Sequence, residues 1–82
     1  MKLNQISEVE EFNACVEQCK GDVWLESVYG DKFNLKSPLS RYMAIGKLLE
    51  NNAQDLGLFC ADKDDEKIFF KLFGDHPSIL NI

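Results

Sequence analysis

The side chains of this chain that can do chemistry are few: one histidine, one serine ahead of a proline, three cysteines and two clusters of acids. His76 stands in Gly74-Asp75-His76-Pro77 and is the only histidine. An imidazole can accept a phosphoryl group or carry a proton. No Ser/His/Asp set, nucleophile elbow or Gly-rich phosphate loop accompanies it, so in isolation it reads as an exposed turn residue. Ser37, directly before Pro38, places a hydroxyl at a helix N-cap, where an added phosphate is electrostatically favoured. Cys15 and Cys19 lie one helical turn apart, with Cys60 able to approach them across a sheet. Three thiolates suit zinc. The histidine is remote, however, and no Cys-x-x-Cys occurs, so the cysteines read as core, where this residue type is commonly found. Asp62, Asp64, Asp65 and Glu66 suggest calcium only superficially, because the twelve-residue loop with its central glycine and terminal glutamate is missing. Acids there suit the start of a helix. No cofactor or metal is expected.

The elements that must position these groups are short. Lys2 to Ile6 reads as a first strand and Ser7 as the N-cap of a helix. Glu8, Glu10 and Glu11 match the dipole of its first turn. Val9, Phe12, Cys15, Val16 and Cys19 recur at spacings of three and four, one helical face, and Lys20-Gly21 closes the helix. Asp22 to Val28 is a strand in which Val23 and Leu25 alternate with Trp24 and Glu26. Tyr29-Gly30-Asp31-Lys32 signals a hairpin, with Phe33 and Leu35 on the return strand. Pro38 opens a second helix after Ser37, with Leu39, Tyr42, Met43, Gly46 and Leu49 on one face, and Asn51-Asn52 ends it. Leu56 to Ala61 is a strand with Leu56, Leu58 and Cys60 on one side. The acids from Asp62 open a last helix carrying Ile68, Phe69, Leu72 and Phe73, which Gly74 and Pro77 stop. Ser78 to Ile82 is left unassigned.

The order β-α-β-β-α-β-α predicts a single α+β domain over residues 1–82. Its expected form is an open-faced sandwich, with a four-stranded, mostly antiparallel sheet and three helices on one face. At 82 residues one domain is the natural size. No apolar run approaches the roughly 20 residues needed to span a bilayer, and no signal-peptide core opens the chain. The reading is therefore cytoplasmic. A net charge of −5, with Arg41 the only arginine, argues against nucleic acid or an anionic membrane as partner. An odd cysteine count argues against a disulfide framework.

This order resembles HPr, the histidine-containing phosphocarrier of the sugar phosphotransferase system. Cys19-Lys20-Gly21 running into Val23-Trp24-Leu25 is similar to the end of that family's first helix and its second strand. Gly30-Asp31-Lys32 followed by Leu35-Lys36-Ser37 is similar to its hairpin and Ala-Lys-Ser. Ala61 through Phe73 resembles its last strand-to-helix passage. The family carries its phosphoryl group on a histidine at the start of the first helix, with an arginine shortly after. Counting back from Lys20-Gly21, those positions fall near Ser7 or Glu8 and near Glu10. Carboxylates there repel phosphate where an anion site needs the reverse charge.

The resemblance implies a non-catalytic, HPr-like binding or regulatory protein linked to sugar phosphotransferase or catabolite control. Ser37 matches the serine that a dedicated kinase phosphorylates in low-GC Gram-positive bacteria, although Pro38 replaces the usual apolar residue after it. Leu39 and Tyr42 occupy positions that resemble the family's exposed docking patch. A protein partner is implied, and a homodimer is possible. Two alternatives differ in class: an active phosphocarrier with an unconventional acceptor, for which His76 is the candidate, or an oligomeric structural protein unrelated to sugar transport that buries the Leu39-Tyr42 face.

Overall fold

A computed structural model describes residues 1–50 and 53–80. Three helices, α1 (Ile6–Gln18), α2 (Pro38–Leu48) and α3 (Glu66–Asp75), pack with three strands, β1 (Val23–Ser27), β2 (Lys32–Asn34) and β3 (Leu56–Cys60). The sheet runs β2-β1-β3 and both pairings are antiparallel. The class is α+β with an open antiparallel sheet. One core joins Phe12 and Val16 of α1, Ala44 and Leu48 of α2, and Phe69 and Leu72 of α3 to Val23 and Leu25 of β1. The helices therefore cover the face from which Val23 and Leu25 project. Phe12 and Phe69 meet at 5.8 Å between ring centroids, and burying each side chain contributes about 3 kcal/mol.

Several expectations change. Among the described residues the sheet has three strands rather than four, because Lys2 to Ile6 forms no strand. Its backbone bonds go elsewhere: the Lys2 N–H donates to Ile79 O and the Leu3 N–H to Leu48 O. Leu3 is fully buried, so the segment is drawn in as an apolar plug between α2 and the turn that holds Ile79. Helix α1 consequently begins at Ile6 with Gln5 as N-cap, ahead of the expected Ser7. Glu8 reaches back instead and accepts the Asn4 N–H at 2.7 Å, a variant of the capping-box bond.

At its other end α1 stops at Gln18, with Cys19 extended. Gly21 is no left-handed cap. A Cβ there would stand 3.2 Å from Asp62 Cβ, so glycine serves the close crossing of two chain segments. Gly30 does supply the hairpin's left-handed residue, with φ of 92°. The acids after β3 first form a 3₁₀ turn, Lys63–Asp65, and only then α3. Helix α3 runs through Gly74 to Asp75, with His76 as its C-cap. Of the unassigned tail, the described residues join a 3₁₀ turn at Pro77–Leu80 that buries Ile79, and Asn81 and Ile82 lie outside the described residues. The expected helix end at Asn51-Asn52 lies outside the described residues, but α2 itself stops at Leu48. No helix of the described residues is long and apolar enough to cross a membrane.

Candidate functional site

The local sequence dictates how α2 starts. Ser37 is extended, with φ of −83° and ψ of 122°, as the residue before a proline must be, and its carbonyl accepts the Arg41 N–H at 2.8 Å. Its hydroxyl makes no capping bond. Ser37 thus stands at a helix N-terminus with its oxygen uncommitted to the cap, a position in which a phosphate would meet free backbone N–H groups.

Helix α2 turns its small and branched residues inward. Ala44 and Leu48 are fully buried, while Leu39 is 72% exposed and Tyr42 80%. Met43 and Leu49 are also exposed. The apolar stripe that spacing alone assigns to this helix therefore faces solvent, and the core is reached by the adjacent stripe. Every charge on α2 is positive: Arg41 and Lys47 stand in Pro38–Leu48 without an acid, against a chain of net charge −5. Arg41 crosses to α1 and pairs with Glu17 at 2.6 Å, flanking a shallow groove between α1 and α2 into which Val9, Tyr42 and Ile45 also project.

A second constellation forms around His76, which the sequence alone leaves isolated. Capping α3 carries the imidazole to the first turn of α1. Its Nε2 contacts a Glu11 carboxylate oxygen, and its Nδ1 lies 3.8 Å from Glu8 Oε2. The Ser78 hydroxyl donates to the same Glu8 oxygen at 3.3 Å. Glu8 is buried, on the stripe it shares with Phe12 and Val16. That placement, an acid on the apolar face of an amphipathic helix, was the one signal in the sequence that a polar partner must arrive from elsewhere. Both imidazole nitrogens face carboxylates, so a phosphoryl group on either would have to displace one anion and sit beside another.

A third constellation surrounds Asp65, which is buried. It accepts the Lys20 N–H at 3.1 Å and the Gly21 N–H at 3.0 Å. The Gly21 N–H holds its carboxyl below the usual carboxylate range. Desolvation opposes that shift, while the Lys20 N–H and the charges of Lys36 and Lys20 assist it. Asp62 accepts the Asp64 N–H at 2.9 Å. Structural bonds thus occupy Asp62 and Asp65 of the acidic run.

The three cysteines are free. Burial pushes all three thiols up, Cys19 to about 11, with the Asp65 charge adding to the effect on Cys19 and Cys60. Protonated thiols are poor nucleophiles and poor metal ligands. Among the described residues no group of three or more His, Cys, Asp or Glu side chains is arranged to hold a metal ion.

Of the predicted site residues, the structure brings Ser37, Leu39 and Tyr42 together along the first turns of α2. It places His76 apart from them, at the opposite end of α1 from Asp65. Comparisons with protein-family models, with curated proteins and with solved structures find no match.

Proposed function

We propose that this chain is a non-catalytic, HPr-like binding or regulatory domain that docks a protein partner on the outward face of α2. The observation that carries the reading is the exposure of Leu39 and Tyr42, together with Met43, on a single helical stripe. A run of large apolar side chains left in water marks an interaction surface. Ser37, the N-cap of the same helix, is the point at which a phosphate would gate docking: it would add about −1.5 to −2 charge at the end of α2 that carries Leu39. The resemblance of the chain to HPr supplies the setting, sugar phosphotransfer or catabolite control in a bacterial cytoplasm. The carboxylates around His76 support the non-catalytic side of the proposal over an active phosphocarrier.

One set of assays tests it. Incubation with the general phosphotransferase enzyme and phosphoenolpyruvate should leave no acid-labile phosphate. Titration of the isotope-labelled protein with that enzyme should shift amide signals centred on Leu39 and Tyr42. An ATP-dependent HPr kinase should place acid-stable phosphate on the protein, and Ser37→Ala should abolish it. Acid-labile phosphate that disappears in His76→Ala, or amide shifts that avoid α2, would overturn the proposal.

A further inference from the structure

The sheet has two outer strands, and they are defended very differently. β2 is three residues long, carries Lys32, and turns away within a few residues. Short charged edges of this kind resist pairing with another chain. β3 is five residues, Leu56-Gly57-Leu58-Phe59-Cys60, with no charge and no proline. Among the described residues it pairs with β1 alone.

The register says which backbone groups face out. The Ala61 N–H donates to Asp22 O at 2.9 Å. Antiparallel alternation then turns Phe59 and Gly57 toward β1, and Leu56, Leu58 and Cys60 away from it. Leu56 O is met by Met1 N at 3.3 Å. Among the described residues nothing meets the outward N–H and C=O groups of Leu58 and Cys60. Alongside them a groove of about 290 Å³ runs between β3 and α3, lined by Leu58, Phe59, Cys60, Phe69, Phe70 and Phe73, with Glu66 beside them. Phe59 is 54% exposed and Phe70 64%.

We infer that this edge pairs with β3 of a second copy of the chain, antiparallel about a two-fold axis at Phe59. The edge is self-complementary about that residue. With the axis at Phe59, Leu58 of one copy faces Cys60 of the other, and both residues have their polar groups turned outward. Each pair exchanges both N–H···O bonds, and symmetry repeats the exchange on the far side of the axis. Phe59 then faces its own counterpart in the closely spaced, non-hydrogen-bonded position, where aromatic pairs stabilise a sheet. An axis at Leu58 would instead set Cys60 against Leu56, whose carbonyl Met1 already meets. This face is separate from α2 and does not depend on the docking reading.

Light scattering during size-exclusion chromatography and sedimentation over a range of concentrations test the dimer. Hydrogen exchange on the same samples tests its location. The expected result is a mass that doubles as concentration rises, with the Leu58 and Cys60 amides becoming protected in step. Phe59→Lys should keep the circular dichroism spectrum and remain a monomer throughout. The paired Leu39→Ala and Tyr42→Ala substitutions should dimerise like the parent chain. Three outcomes would overturn the inference: a monomer at millimolar concentration, a dimer that Phe59→Lys does not disrupt, or protection that follows α2 amides in place of Leu58 and Cys60. Protection of those two amides only on adding an extended apolar peptide would also overturn it, by assigning the edge to a foreign strand.

Discussion

A buried carboxylate holds each end of α1, and the two ends are built on opposite principles. At the C-terminal end Asp65 comes from the turn before α3 and accepts two backbone N–H groups, those of Lys20 and Gly21. Lys36 Nζ closes the same corner by donating to Cys19 O at 2.5 Å. The backbone donors cannot titrate away and belong to a chain crossing with no room for a Cβ. At the N-terminal end Glu8 accepts one backbone N–H, and its other oxygen faces a hydroxyl and an imidazole. The first corner is a fixed joint. The second is held by the side chains of His76 and Ser78, brought in from the end of α3 and the turn after it. Backbone donors pre-placed by the fold keep an anion ionised, whereas side-chain donors must be ordered to do so and lose rotamer entropy.

The contrast is broken most directly at Asp65. Asp65→Ala strands two N–H groups in a corner that cannot close over them, and should lower the melting temperature more than Glu8→Ala, His76→Ala or substitution of the exposed Leu39 and Tyr42 of α2. Asp65→Asn adds a signature in pH. The folded carboxyl lies below its unfolded range, near pH 4, so its contribution is complete above that range and is lost as pH falls through the folded value. The variant should therefore show a flatter acid limb in urea-unfolding free energy between pH 5 and 2. An unchanged slope would mean that the backbone donors do not favour the ionised form.

Glu8→Ala should be milder, costing about 1–2 kcal/mol for an unmet Asn4 N–H and Ser78 hydroxyl, measured by urea unfolding. A loss equal to that of Asp65→Ala would erase the distinction between the two corners. His76→Ala should cost less again, about 0.5–1 kcal/mol, because its contact with Glu11 is partly solvated. A double-mutant cycle with Glu11→Gln isolates that pair. The smallest effect is expected on α2, which takes no part in either corner: Leu39→Ser and Tyr42→Ser should each stay within about 0.5 kcal/mol of the parent. A larger loss would show that these side chains serve packing, against the docking reading.

Much of this architecture was legible along the chain. The stripe of Phe12, Val16 and Cys19, the alternation of Val23 and Leu25, the turn at Gly30 and the helix start at Ser37-Pro38 all follow from local rules of spacing, capping and backbone freedom. Periodicity alone left two matters to the fold. Lys2 to Ile6 alternates like a strand but forms none, and the stripe from Leu39 to Leu49 suits a docking patch and a core face equally. Periodicity reports which residues could be buried together, however, and cannot say whether a neighbour exists to bury them. Leu3 found a site between α2 and the last turn, and α2 presented its narrower stripe, Ala44 and Leu48, to the core.

The candidate sites divide along the same line. Ser37, Leu39 and Tyr42 are neighbours in sequence, so a helix is enough to assemble them. Their exposure is decided by packing. His76 and Glu8 are far apart in sequence, as are Asp65 and Gly21, and no local pattern joins either pair. The sequence by itself determined the three helices, the three strands after α1, their order and the helix-start chemistry at Ser37, because those depend on contacts within a few residues. Tertiary structure alone decided which apolar stripe meets water, which β-edge stays open and which acids meet the lone histidine, because each of these depends on where distant segments come to rest.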